Sequence, residues 1–166
     1  MTQPAAEDGV SQISPNADFC FAGPYTHSLD DKGRLALPSI LREELGRSER
    51  PDLVMALAFE VSFLSLYPIE EWRKLMEGIK KTRNDTIGRN DALRAFSAEV
   101  RPLNLDKAGR VLISPEQRAA VGLSREVVII GMGTKIHVWD AAAYEQKKSQ
   151  DKAVRDEVIR TAGLEF

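Results

Sequence analysis

The chain has 166 residues, 43% of them hydrophobic and 29% charged, with a net charge of −2 and a pI near 5.8. That length suits one compact domain with a sizeable core. The acidic balance argues against a protein that coats nucleic acid by bulk charge, though not against one with local basic loops.

The single cysteine, Cys20, leaves no intramolecular disulfide and fits a reducing cytoplasm. No run of about 18 apolar residues is present to span a membrane. The start of the chain lacks the basic end and apolar core of a secretory signal.

Residues 1–18 are polar, with Pro4 and Pro15, and read as a disordered arm. Residues 19–29 read as a strand leading into Asp30-Asp31-Lys32-Gly33. Asp bonds to the backbone two residues on, and Gly adopts a positive φ freely, so this is turn chemistry. Arg34 to Leu37 leaves as a second strand, with Leu35 and Leu37 on one face, and the spacing predicts a hairpin. Pro38 closes it. Residues 39–45 predict a short helix burying Leu41 and Leu45, with Gly46 past its end. Leu53 to Leu57 and Phe63 to Tyr67 predict a second hairpin. Trp72, Leu75, Met76 and Ile79 then form one helical stripe, a candidate for internal packing. Residues 80–90 read as a loop or break, and residues 91–98 as a helix stopped by Pro102.

The first phrase then returns. Leu105-Asp106-Lys107-Ala108-Gly109-Arg110-Val111-Leu112-Ile113 repeats it 76 residues later. Six positions are identical at that offset: Leu29/Leu105, Asp30/Asp106, Gly33/Gly109, Arg34/Arg110, Arg42/Arg118 and Gly46/Gly122. One structural unit is used twice. Ser114-Pro115-Glu116-Gln117 predicts a capped helix start, and Gly122 its end. Val127 to Ile130 turns through Gly131-Met132-Gly133-Thr134 into Lys135 to Trp139. Tyr67 matches Trp139 and Trp72 matches Tyr144, at an offset of 72, which places a longer connection near residues 47–52 of the first copy. Residues 141–160 predict a charged helix with a thin apolar stripe (Tyr144, Val154, Val158, Ile159) for the surface or another subunit. The chain thus divides into the arm at 1–18, a first repeat at 24–71, a helical connector at 72–99, a second repeat at 100–143 and a terminal helix at 144–166.

Lys32, Arg34, Lys107 and Arg110 crown the two turns, and these are the candidate DNA-binding residues. Arginine forks onto a phosphate or onto guanine, and lysine supplies a mobile point charge. Asp30, Gly33, Asp106 and Gly109 are assigned to forming the turns, with Gly33 also permitting close backbone approach to a ligand. Asp30/Arg34 and Asp106/Arg110 can equally be ion pairs that only stabilise their turns. Lys32 has no counterpart, because Ala108 holds its place, so the first tip is the stronger candidate. Arg42 and Arg118 lie near helix C-termini and suit the helix dipole.

His27 and His137 stand alone, so no metal site is expected. Gly131-Met132-Gly133 lacks the following helix of a phosphate-binding loop. Trp72, Trp139 and Tyr144 suit core or interface packing. The run Lys80, Lys81, Arg83, Arg89 reads as a solvated face. No nucleophile–base pair stands out, so no enzyme, cofactor or small-molecule substrate is expected.

The run Tyr25-Thr26-His27-Ser28-Leu29-Asp30-Asp31-Lys32-Gly33-Arg34-Leu35-Ala36-Leu37-Pro38, followed by Arg42-Glu43-Glu44-Leu45, closely resembles the start of the bacterial MraZ family. Asp106-x-x-Gly109-Arg110-x-x-Ile113, Arg118 and Val138-Trp139-Asp140 resemble its second half, and the resemblance covers roughly residues 21–146. It departs in its N-terminal extension, in Ser114 before Pro115, and in His137 where an acidic residue is common.

The resemblance implies an AbrB-like, β-rich α+β fold: a swapped-hairpin (double-split) β-barrel built from two halves in one chain, with helices following each. It implies a ring-shaped homo-oligomer, octameric or dodecameric, in the cytoplasm and on the nucleoid. It also implies a sequence-specific transcriptional regulator that binds tandem repeats in double-stranded promoter DNA of the division and cell-wall gene cluster. The alternatives are an oligomeric scaffold whose basic tips bind an acidic protein partner, and an enzyme acting on a phosphorylated ligand.

Overall fold

The computed structural model describes residues 23–46, 52–57, 62–82 and 86–163. The expected arm at 1–18 and all of the longer connection at 47–52 except Asp52 lie outside them. The elements of the first half are β1 (Tyr25–Ser28), β2 (Arg34–Ala36), α1 (Ser39–Gly46), β3 (Leu53–Leu57), β4 (Phe63–Pro68) and α2 (Ile69–Thr82). After α3 (Thr86–Ala98), the second half repeats the order as β5 (Val100–Leu103), β6 (Arg110–Leu112), α4 (Pro115–Ala120), β7 (Glu126–Gly131), β8 (Ile136–Asp140) and α5 (Ala141–Ala162).

The fold is α+β with antiparallel sheets. One sheet has the order β1-β7-β8-β4-β3-β5, and β2 with β6 forms a second, two-stranded ribbon. The two late hairpins form locally, β3 with β4 and β7 with β8. The hairpin expected around Asp30 to Gly33 forms only its turn. Beyond that turn β1 pairs with β7, and β2 pairs with β6. In the second half β5 likewise leaves its own turn and pairs with β3. Paired across the halves, β2 and β6 satisfy each other's backbone groups and set Leu35 opposite Val111, both fully buried in the shared core. The six-stranded order ends at β1 and β5, so hydrogen bonding leaves an open sheet rather than a closed barrel. Pro102, expected to stop a helix, sits in edge strand β5, where a residue without an N–H is tolerated.

The core is one cluster drawn from both halves. Leu35, Leu41, Leu45, Leu64 and Leu66 meet Val111, Ile113, Val127, Ile129 and Ile136, all essentially inaccessible to solvent. Full burial of each such side chain contributes ~1.5–3 kcal/mol.

The connecting helices differ from expectation. α2 runs to Thr82 and α3 starts at Thr86, so most of the expected break at 80–90 is helical. Gly88 lies inside α3, because one helical glycine costs only ~1 kcal/mol and α3 packs on α2. The α2 stripe is not interior. Trp72, Met76 and Ile79 are half-buried and Leu75 is 37% exposed. α5 buries no residue at all, and Val154 and Val158 are exposed.

Candidate nucleic-acid interface

Each turn is built by one aspartate. Asp30 Oδ1 accepts the backbone N–H groups of Lys32 and Arg34, both at 2.9 Å. Gly33 N donates to the Asp30 carbonyl at 2.9 Å, and Asp30 N donates to the Arg34 carbonyl at 3.0 Å. Asp106 repeats the set. Its Oδ1 accepts from Ala108 N and Arg110 N at 2.9 Å, and its backbone exchanges bonds with Gly109 and Arg110. The second carboxylate oxygen holds the arginine: Arg34 Nε lies 2.6 Å from Asp30 Oδ2, and Arg110 Nε lies 2.8 Å from Asp106 Oδ2. Both carboxyls are held below their ordinary range, first by the backbone N–H of Arg34 or Arg110 and then by the same residue's side chain. The ion pairs therefore exist, and they aim the guanidinium groups. The Nε edge faces the aspartate, which turns the Nη amines toward the other side of each guanidinium.

The β2–β6 ribbon brings the turns together. Arg34 pairs with Leu112, Leu35 with Val111, and Ala36 with Arg110. The ribbon is extended by Leu37 N donating to the Gly109 carbonyl at 3.1 Å, and by Ile113 N donating to the Gly33 carbonyl at 2.9 Å. Arg110 Nη1 comes within 4.0 Å of Asp30 Oδ2, so each tip feels the other's charge. Because side chains alternate along a strand, Leu35 and Val111 point into the core. Arg34, Ala36, Arg110 and Leu112 lie on the outer face. Lys32 and Lys107 are exposed on the flanking turns.

Arg118 lies in the last turn of α4, as expected, whereas α1 has no basic residue in its last turn. Sequence reasoning missed a second placement: each of Arg42 and Arg118 lies against the other half's turn glycine. A Cβ at Gly33 would sit 2.7 Å from the Ile113 carbonyl oxygen and 3.2 Å from Arg118 Cζ and Nε. A Cβ at Gly109 would collide with Arg42 Cδ and Nη1. The close approach that these glycines permit is thus filled by protein, not by ligand. Arg118 Nε is buried with no hydrogen-bond partner among the described residues. The available signal was that Arg42 and Arg118 recur at the same offset as the turns they cover.

A protein-family model described as "MraZ protein, putative antitoxin-like" matches this chain twice, over residues 20–94 and 96–162. The chain belongs to the MraZ family. Among its MraZ relatives is the "Transcriptional regulator MraZ" of Solidesulfovibrio magneticus, 36% identical over 133 residues, covering 80% of this chain and 88% of the relative. Proteins of the same name from Ralstonia pickettii and Thermomicrobium roseum are 38% and 37% identical. The first alignment covers 77% of this chain and 87% of the relative, the second 72% and 80%.

The later MraZ-like run, Val138-Trp139-Asp140, is structural here. Val138 is buried in the core, and Asp140 caps α5 through Ala142 N and Ala143 N. The same carboxylate accepts the hydroxyl and backbone N–H of Ser124, at 2.5 and 2.9 Å. His137 is buried and stacked on Phe63 at 4.1 Å, and burial drives its pKa down to about 4. It is therefore a neutral packing residue near pH 7. No group of acidic, cysteine or histidine side chains suited to a metal ion occurs among the described residues. No helix among them is long and apolar enough to cross a membrane.

Proposed function

We propose that this chain is a sequence-specific transcriptional regulator whose β2–β6 ribbon and flanking turns bind double-stranded promoter DNA. The observation that carries the reading is the convergence of Arg34 and Arg110 on the outer face of one short ribbon. The major groove is about 12 Å wide and admits a two-stranded β-ribbon. Within the two turns, residues 30–34 and 106–110, Lys32, Arg34, Lys107 and Arg110 outnumber Asp30, Asp31 and Asp106, a slight basic excess on an acidic body. The names of the relatives support a role in transcription. On this reading the chain acts on the chromosome in the cytoplasm, at tandem repeats controlling the division and cell-wall gene cluster, and performs no catalysis.

One ribbon makes few phosphate contacts, and few contacts give weak, salt-sensitive binding. Several ribbons on adjacent boxes raise the affinity by avidity, which is the use of a ring-shaped homo-oligomer of eight or twelve copies. The two sheets share one core with contributions from both halves, which supports regarding them as an AbrB-like split barrel with repeats at 24–71 and 100–143.

Fluorescence anisotropy with duplexes carrying tandem promoter repeats tests the function. Arg34→Ala is expected to weaken binding about tenfold or more, the scale of one lost bidentate contact, with assembly mass unchanged by light scattering. Unaltered affinity in Arg34→Ala and Arg110→Ala alike would remove the ribbon from the DNA. Binding of an acidic protein but of no DNA at low salt would make the chain a scaffold.

A further inference from the structure

The ribbon is built from equivalent positions of two repeats, yet its outer face is not symmetric. Arg34 and Arg110 are equivalent, and so are Ala36 and Leu112. Leu112 is 56% exposed, on a strand whose preceding residue, Val111, is fully buried. It is the register partner of Arg34, so its Cβ lies about 5 Å from that of the arginine. Leu112 is absent from the buried core cluster, and a large aliphatic group left in water beside two arginines gains free energy when something apolar covers it.

We propose that Leu112 is a specificity-determining residue that packs on the C5-methyl group of a thymine beside the base contacted by Arg34. In the major groove a thymine presents one apolar group, its methyl, next to hydrogen-bond acceptors. An aliphatic side chain flanked by cations matches that surface. Ala36, at the equivalent place beside Arg110, is too short to reach so far. The ribbon therefore reads its two half-footprints differently and binds a box in one orientation.

This inference rests on the ribbon being the DNA-contacting face. The test uses the full chain and a duplex selected by the wild-type protein from a random pool. That duplex is resynthesised with each thymine replaced in turn by deoxyuridine, which removes only the methyl. Wild type is expected to lose about fourfold in affinity at one thymine per box, the scale of one buried methyl. Leu112→Ala is expected to bind the parent duplex about fourfold more weakly and to ignore that thymine-to-uracil change, with assembly mass unaltered. A Leu112→Ala protein that still distinguishes thymine from uracil overturns the proposal, as does a wild type indifferent at every thymine. A change in assembly mass in Leu112→Ala would assign the side chain to a subunit contact and equally overturn it. These outcomes are separable from failure of the ribbon reading, in which Arg34→Ala and Arg110→Ala leave binding intact.

Discussion

Asp30 and Gly33 act within four residues of one another, which is why their roles can be read from sequence. At both Asp30 and Asp106 an aspartate followed three residues later by glycine folds the same turn, because the bonds it makes are local. Arg42 is different. Its partner is Gly109, far along the chain, and nothing local announces the contact. The two residues make a joint prediction. Gly109 has φ +72° and no room for a Cβ, so Gly109→Ala should destabilise the fold by ~1–3 kcal/mol in urea denaturation. In the Arg42→Ala background the steric part of that cost should disappear, leaving only backbone strain. Equal costs in the two backgrounds would show that Arg42 does not press on the turn.

Caps and aromatic contacts govern the elements, and they follow the repeat. Tyr67 meets Trp72 at 5.5 Å between ring centroids, and the matching pair Trp139 and Tyr144 meets at 6.3 Å. Each half thus seats its last helix on its last strand with the same two positions. α4 forms where its capping box predicts, with Ser114 and Gln117 bonded reciprocally. It ends at Gly122, φ +66°, with Leu123 N donating to the Arg118 carbonyl. The extents of α2 and α3 were not legible, because weak propensity is overridden by packing of one helix on the other. Asp140 joins α5 to the loop before β7, and Asp140→Ala should cost ~1–2 kcal/mol at pH 7. Its folded pKa is depressed below the ordinary 3.8, first by the Ser124 hydroxyl. The charge-dependent contribution is therefore present above that ordinary value and lost as pH falls through the lower folded one. Urea midpoints should show the gap between wild type and Asp140→Ala narrowing as pH falls below about 4; a gap constant with pH would mean that the carboxylate charge is irrelevant.

At the scale of the whole molecule the halves exchange their first strands, β1 lying on β7 and β5 on β3. Neither half owns a complete set of partners. Residues 1–99 and 100–166 produced separately are expected to be unfolded or self-paired dimers by sedimentation, and to recover a cooperative urea transition when mixed. A half that sediments as a folded monomer would contradict the exchange. The sequence by itself determined the two turns, the capped α4, the late hairpins and the existence of two copies. All of these rest on bonds between near neighbours or on the spacing of apolar residues. Only the tertiary structure decided that β1 and β2 separate, that the sheet stays open, and that Arg42 and Arg118 cover the opposite turns. It alone set the two arginines on one ribbon face, with Leu112 opposite Arg34. Those outcomes depend on which distant partner each strand and side chain meets, and a linear pattern does not encode the identity of that partner.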